Sequence, residues 1–355
     1  MDRQFESAGA KKVAIWILVG VAMVIVQVVL GGVTRLTGSG LSITEWDVLT
    51  GTLPPLSHSA WLAAFEKYKA TPQFNLLNFD MTLGDFKFIY FWEWFHRLWA
   101  RLIGVVFLIP FFIFLRKGYI RSNMVKPLII LFLLGAMQGA VGWIMVASGL
   151  EGDAIYVAPI KLGLHFVLAL ALFAYLCWFA LQLWVPRQEL RVHRGIHTQT
   201  WVILALLMIQ LFFGALMAGH KAATAAPTWP DINGEWIPQL VFQPADGWLS
   251  LVENRITIHF VHRGIAYLLF LLVIWQSIRV YRFSRRQGLI GKTWYIPLVL
   301  VLIQLLLGIL SVLKSPGIVP GRWGLFEWMA QLHQIVAMFL LLSLLMSAYL
   351  MRRKA

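Results

Sequence analysis

Tyr90-Phe-Trp-Glu-Trp-Phe-His-Arg-Leu-Trp-Ala-Arg-Leu-Ile-Gly-Val-Val-Phe-Leu-Ile-Pro-Phe-Phe-Ile-Phe-Leu115 decides the fold. As a helix it is long and apolar enough to cross a bilayer, which takes roughly 20 residues. It also carries an imidazole, His96, inside the apolar run. Comparable stretches lie near 13–33, 125–147, 161–184, 199–219, 257–279, 293–313 and 328–350. The chain of 355 residues is 59% hydrophobic and only 13% charged, which excludes an ordinary soluble domain. The expected fold is all-α and integral to the membrane, with eight transmembrane helices.

The net charge of +14 resembles a nucleic-acid signal until it is mapped. Arg3, Lys11 and Lys12 precede the first span, and Arg116, Lys117, Arg121 and Lys126 join the second to the third. Arg187, Arg191 and Arg194 join the fourth to the fifth; Arg279, Arg282, Arg285, Arg286 and Lys292 join the sixth to the seventh. Arg352, Arg353 and Lys354 end the chain, and only Asp2, Glu6 and Glu189 oppose them on this side. The positive-inside rule then puts both termini in the cytoplasm. Anionic lipid, not nucleic acid, is the expected partner of this charge.

The first span is too long for a signal-peptide core, and no small-residue cleavage site follows it. The amino-terminal segment lacks the Arg-rich, Ser-rich look of a transit peptide, so a bacterial inner membrane is expected. The single cysteine, Cys177, excludes an intrachain disulfide, a cysteine-ligated iron–sulfur cluster and a CxxCH heme attachment.

The chain repeats itself once. Gln27-Val-Val-Leu-Gly31 matches Gln210-Leu-Phe-Phe-Gly214, and Trp46, Gly51 and Pro55 match Trp229, Gly234 and Pro238, all at an offset of 183. His96-Arg97 matches His262-Arg263, and Gln138…Gly142 matches Gln304…Gly308, at 166; His165 matches His333 at 168. The first half therefore carries an extra outer segment between Pro55 and His96. Within it Trp61, Leu62, Phe65 and Tyr68 have helical apolar spacing and are expected on the membrane surface. Each repeat has four spans, so the halves share an orientation about an axis along the membrane normal. Two tandem four-helix bundles are expected, 1–186 and 187–355, joined near Pro186 to Thr198.

His96, His165, His262 and His333 lie near the outer starts of the even spans. Ionisable groups inside a span are costly and usually functional. Two imidazoles from two helices of one bundle suit axial ligation of heme iron. Zinc or copper fits less well, because no carboxylate or thiol cluster completes a shell. His58, His193, His197, His220 and His259 lack the fourfold pattern, and His193 and His197 read as solvated loop residues.

Arg97 and Arg263 directly follow ligand candidates and could pair with heme propionates; snorkelling to the interface is the equal alternative. Glu93 shares a helix face with His96, whereas the second half has His259 at the matching position. A carboxylate beside a macrocycle can move protons or stabilise positive charge. A structural Glu93, favoured by the helix dipole, is the competing reading. The asymmetry assigns chemistry to the first half and a bound redox cofactor to the second. The four Gln-x-x-x-Gly motifs end the odd spans, where they serve as interhelical glue or line a cofactor pocket.

The run Val33-Thr-Arg-Leu-Thr-Gly-Ser-Gly-Leu-Ser-Ile-Thr-Glu-Trp46, with Gly51-Thr-Leu-Pro-Pro55 and Phe91-Trp-Glu-Trp-Phe-His-Arg97, resembles the heme A synthase family of the proteobacterial and mitochondrial type. The likeness runs on through Thr228-Trp-Pro230, His262-Arg263 and His333. It implies oxidation of a methyl group of heme O to the formyl group of heme A through a hydroxymethyl intermediate, with water supplying the oxygen. It implies a heme b cofactor held by His262 and His333, and a substrate site of Glu93, His96 and His165. Heme O synthase and a membrane electron acceptor are the implied partners; the acceptor's identity and any homo-oligomer stay open. Gram-positive members carry an outer-loop cysteine pair that this chain lacks, so a mechanism needing that disulfide does not carry over. The competing functions are a di-heme b-type membrane electron-transfer protein and a heme-transfer protein without turnover.

Overall fold

A computed structural model describes residues 8–45, 50–241, 247–319 and 321–353. Trp46 of the repeat, and Asp2, Arg3, Glu6 and Lys354 of the charge map, lie outside the described residues. Among the described residues twelve α-helices occur, beginning with α1 (Ala8–Leu36), α2 (His58–Lys69), α3 (Pro72–Leu77), α4 (Leu83–Arg116), α5 (Ser122–Ala147) and α6 (Pro159–Trp184). The second half follows as α7 (Arg194–Gly219), α8 (Ser250–Glu253), α9 (Arg255–Ser284), α10 (Gly288–Thr293), α11 (Ile296–Lys314) and α12 (Leu325–Leu350). Eight of the resulting helical stretches are long and apolar enough to cross a membrane, and each covers one of the expected spans. Among the described residues there is no strand beyond the isolated bridge of Ile232 with Glu235.

Local chemistry sets the helix ends. α4 begins earlier than its apolar run because Thr82 and Asp85 form a capping box. The extra turns carry Phe86 and Ile89, which pack against Phe65 and Tyr68 of α2. The apolar stripe read as a surface helix is thus helical, but Phe65 and Tyr68 are buried against protein. α7 also starts before Thr198, because His193 caps it: its Nδ1 accepts from the Ile196 N–H at 3.2 Å. His193 is therefore a capping residue, not a solvated loop residue. Pro297 stands four residues after Thr293, the last residue of α10; its ring and missing N–H part α10 from α11.

Proline shapes the packing in one further place. Pro110 inside α4 has no N–H for the carbonyl of Val106, four residues back. The Trp16 indole of α1 donates to that carbonyl at 2.8 Å. A backbone group denied its helical partner in an apolar medium is thereby satisfied.

α1, α6, α7 and α12 meet where the two halves join. The main apolar cluster runs without a break from Val13 and Leu170 to Leu207 and Leu344. The two halves of the chain differ in tightness. α9 and α11 pack closely, whereas their counterparts α4 and α5 scarcely touch. Gly104, Gly135 and Gly139 face open space in the first half. The matching positions in the second half hold Phe270, Val301 and Leu305.

Candidate paired-imidazole sites

The four histidines lie on α4, α6, α9 and α12, all at the end of the bundle where those helices begin. His96 and His165 are near enough to interact electrostatically, and so are His262 and His333. The fold thus brings together the two pairs expected from the repeat.

Each ring lies against a Gln-x-x-x-Gly motif of the preceding odd span. A Cβ added to Gly31 would stand 3.2 Å from His96 Cε1, and one on Gly142 would stand 2.8 Å from His165 Cε1. The corresponding separations are 3.3 Å for Gly214 to His262 and 3.0 Å for Gly308 to His333. Only glycine admits the imidazoles this close to the helix.

The glutamines touch the same rings. Gln27, Gln210 and Gln304 place their amide nitrogens 3.4, 3.3 and 3.2 Å from Nε2 of His96, His262 and His333. The Gln138 amide is 3.2 Å from Nδ1 and 3.3 Å from Nε2 of His165. The sequence left both glue and pocket lining open for these glutamines; the structure places all four beside the rings.

Glu93 is buried and fully engaged. Its Oε2 accepts from the Ser42 hydroxyl at 2.7 Å and the Ile43 N–H at 2.8 Å, and its Oε1 pairs with Arg97 at 2.5 Å. The loop reaches it because Gly38, at φ +69°, closes α1 in a left-handed turn. Ser39 N–H donates back to the Thr34 carbonyl there. Sequence reasoning did not single out Ser42 and Ile43. The repeat held the signal, since Ser42 and Ile43 match Ala225 and Ala226 just as Glu93 matches His259. His259 is wholly buried, and its two ring nitrogens find no hydrogen-bond partner among the described residues.

The two arginines hold the outer loops. Arg97 donates to the carbonyls of Ile43 and Glu45, each at 3.1 Å. Arg263 donates to the carbonyls of Thr228 and Asp231, at 2.5 and 2.7 Å. Glu45 and Thr228 are repeat equivalents, so the clamp itself is repeated. Beyond the span, Gly234 N–H donating to Asp231 holds that carboxyl below the ordinary range. Gly234 has φ +88° in a tight turn, whereas its match Gly51 has φ −72°; the two are equivalent in sequence, not in conformation.

The donor set fits heme better than a bare metal ion. No cluster of three or more His, Cys, Asp or Glu able to hold a metal ion occurs among the described residues. Each bundle offers two imidazoles, and Nδ1 of His96 and of His262 has no partner among the described residues. Two planar axial ligands per site, set among apolar side chains, match what heme iron takes.

Fold and sites define a class: a multi-pass membrane protein built as a repeat, with one paired-imidazole site in each half. Residues 14–345 match the family model of cytochrome oxidase assembly proteins, COX15-CtaA, and the chain belongs to that family. It is 42% identical over 331 residues to the heme A synthase of Bradyrhizobium sp. strain BTAi1, covering 93% of this chain and 88% of the relative. It is 44% identical over 289 residues to that of Rhodospirillum centenum, covering 80% and 77%. It is 40% identical over 337 residues to that of Flavobacterium johnsoniae, covering 93% and 95%.

Proposed function

We propose that this chain is a heme A synthase, a membrane oxidoreductase that takes heme O and oxidises one porphyrin methyl group to the formyl group of heme A. The oxidation runs in two stages through a hydroxymethyl intermediate. The observation that carries the division of labour is a polar difference between matching sites: Glu93 with Ser42 in the first half, His259 with Ala225 in the second.

The first bundle, within 1–186, is the substrate site. His96 and His165 flank the substrate iron, and Glu93 stands one helical turn from His96. Held by Ser42, Ile43 and Arg97, Glu93 is a preorganised negative charge that favours cationic character as the methyl group loses electrons. The looser α4–α5 pair leaves room for a substrate with a long isoprenoid tail.

The second bundle, within 187–355, holds heme b between His262 and His333. When bound, heme b would supply a one-electron couple, which suits a relay. Arg97 and Arg263 pin the loops over the two sites and stand beside the ligand histidines, where propionates would meet them. Heme O synthase supplies the substrate, and a membrane electron acceptor removes the electrons. The setting is a bacterial inner membrane, with both termini cytoplasmic, the basic loops on anionic lipid and the sites near the periplasmic face.

The test is direct. The chain is expressed in a host that makes heme O, and the extracted hemes are separated and weighed by mass spectrometry. Formyl or hydroxymethyl heme is expected. Heme b alone would replace this reading with a di-heme b-type electron carrier.

A further inference from the structure

We propose that the Gln-x-x-x-Gly motif is a ligand-orienting device, in which each glutamine sets the ring position of the histidine it touches and, at His333, the tautomer as well. The inference rests on heme binding by the paired histidines and concerns how this chain prepares them.

The spacing has a physical reason. In an α-helix the carbonyl of residue i lies under the side chain of residue i+4. Glycine at i+4 leaves that carbonyl uncovered to a ring approaching from the next helix. At Gln304 and Gly308 the use of this opening is explicit: His333 Nδ1 lies 3.0 Å from the Gln304 carbonyl oxygen. A carbonyl only accepts, so Nδ1 carries the proton. The Gln304 amide nitrogen, which only donates, is 3.2 Å from His333 Nε2, so Nε2 carries the lone pair. Both contacts demand the same tautomer, with the proton on Nδ1 and the lone pair on Nε2; the amide holds the lone pair that iron would take from it. One residue thus reads both nitrogens of the ring.

The first half uses the amide differently. Gln27 and Gln138 also donate to the backbone carbonyls of His96 and His165, at 3.3 and 3.1 Å. Their amides are shared between ring and backbone, so the rings are less firmly committed. A permanent cofactor calls for the firmer arrangement, and a substrate that enters and leaves calls for the looser one. In all four glutamines Oε1 is buried without a hydrogen-bond partner among the described residues.

Gln304→Met, Gln210→Met and Gln276→Met are compared in the full-length protein purified with its heme. Gln276 is the control, a buried glutamine in the same bundle that bonds Thr200 at 2.8 Å and touches no histidine. The readouts are the low-spin heme signal in electron paramagnetic resonance, the rate of heme transfer to apomyoglobin, and thermal unfolding. Gln304→Met is expected to shift the low-spin signal and to speed heme loss at least fivefold. Gln210→Met is expected to do so more weakly, and Gln276→Met to lower thermal stability alone. A Gln304→Met protein that unfolds like the control but arrives without heme supports the inference equally. A normal wild-type signal left unchanged by both Gln304→Met and Gln210→Met overturns it. A wild type without any bis-imidazole signal overturns the heme b reading as well.

Discussion

The Gln334 amide donates across the join between the two halves to the carbonyl of Val28, at 2.8 Å. Gln331, on the same helix, donates to Val29 at 3.2 Å. These glutamines flank His333, and their acceptors sit between Gln27 and Gly31, the residues that hold His96. At the matching place on the other side of the join, Gly163 packs against the Phe212 ring. One of the two equivalent contacts is therefore polar and links the two histidine sites, while the other is apolar.

If that link keeps the two sites in a fixed relation, Gln331→Leu with Gln334→Leu should leave heme b content unchanged and lower heme A yield several-fold. Each lost interhelical bond costs only about 0.6 kcal/mol, so folding should survive. The check is heme b absorbance and extracted heme A in the same membranes. Unchanged heme A would show that the link is only packing.

Gly308→Ala puts a methyl group about where His333 Cε1 needs space, and Gly142→Ala does the same to His165. The first variant should strip or broaden the heme b spectrum. The second should spare that spectrum and abolish heme A. Identical spectra from both would deny the separation of the sites.

His262→Ala and His333→Ala should perturb the heme b spectrum far more than His96→Ala. Difference spectra of solubilised membranes decide this. Equal losses from all three would remove the basis for distinguishing the halves.

Glu93→Ala should retain heme b and lose heme A. It also leaves Arg97 without its carboxylate and the Ser42–Ile43 turn without its acceptor. Breaking a buried pair costs roughly 3–5 kcal/mol, so the outer loop should become more sensitive to protease. Loss of the heme b spectrum would count against the assignment.

Arg263→Lys replaces a fork that reaches two carbonyls with a single ammonium. Faster proteolysis of the 228–234 loop is expected, with the His262 helix intact by heme content. An unaltered cleavage rate would mean the loop is held by its own turn.

Much of this molecule is legible in its sequence. Membrane spans announce themselves because each must satisfy its own backbone and face lipid, so length and apolarity suffice. His96, His165, His262 and His333 stood out because the repeat compares the chain with itself. Helix ends were less legible. The early start of α4 depends on Thr82 and Asp85, and that of α7 on the His193 imidazole acting as a cap. The α2 stripe read as membrane-facing because the sequence does not say that Phe86 and Ile89 will be there to cover it.

The sequence by itself determined the eight spans, the repeat and which residues pair, since these follow from periodicity and from a solvent that forbids unsatisfied backbone. Only the tertiary structure decided that Glu93 is bound to Ser42 and Ile43, that the arginines clamp loops, and that each glutamine faces a ring. Those contacts join residues far apart in the chain, and a hydrogen bond depends on angstrom-scale distance and direction that spacing along a sequence does not encode.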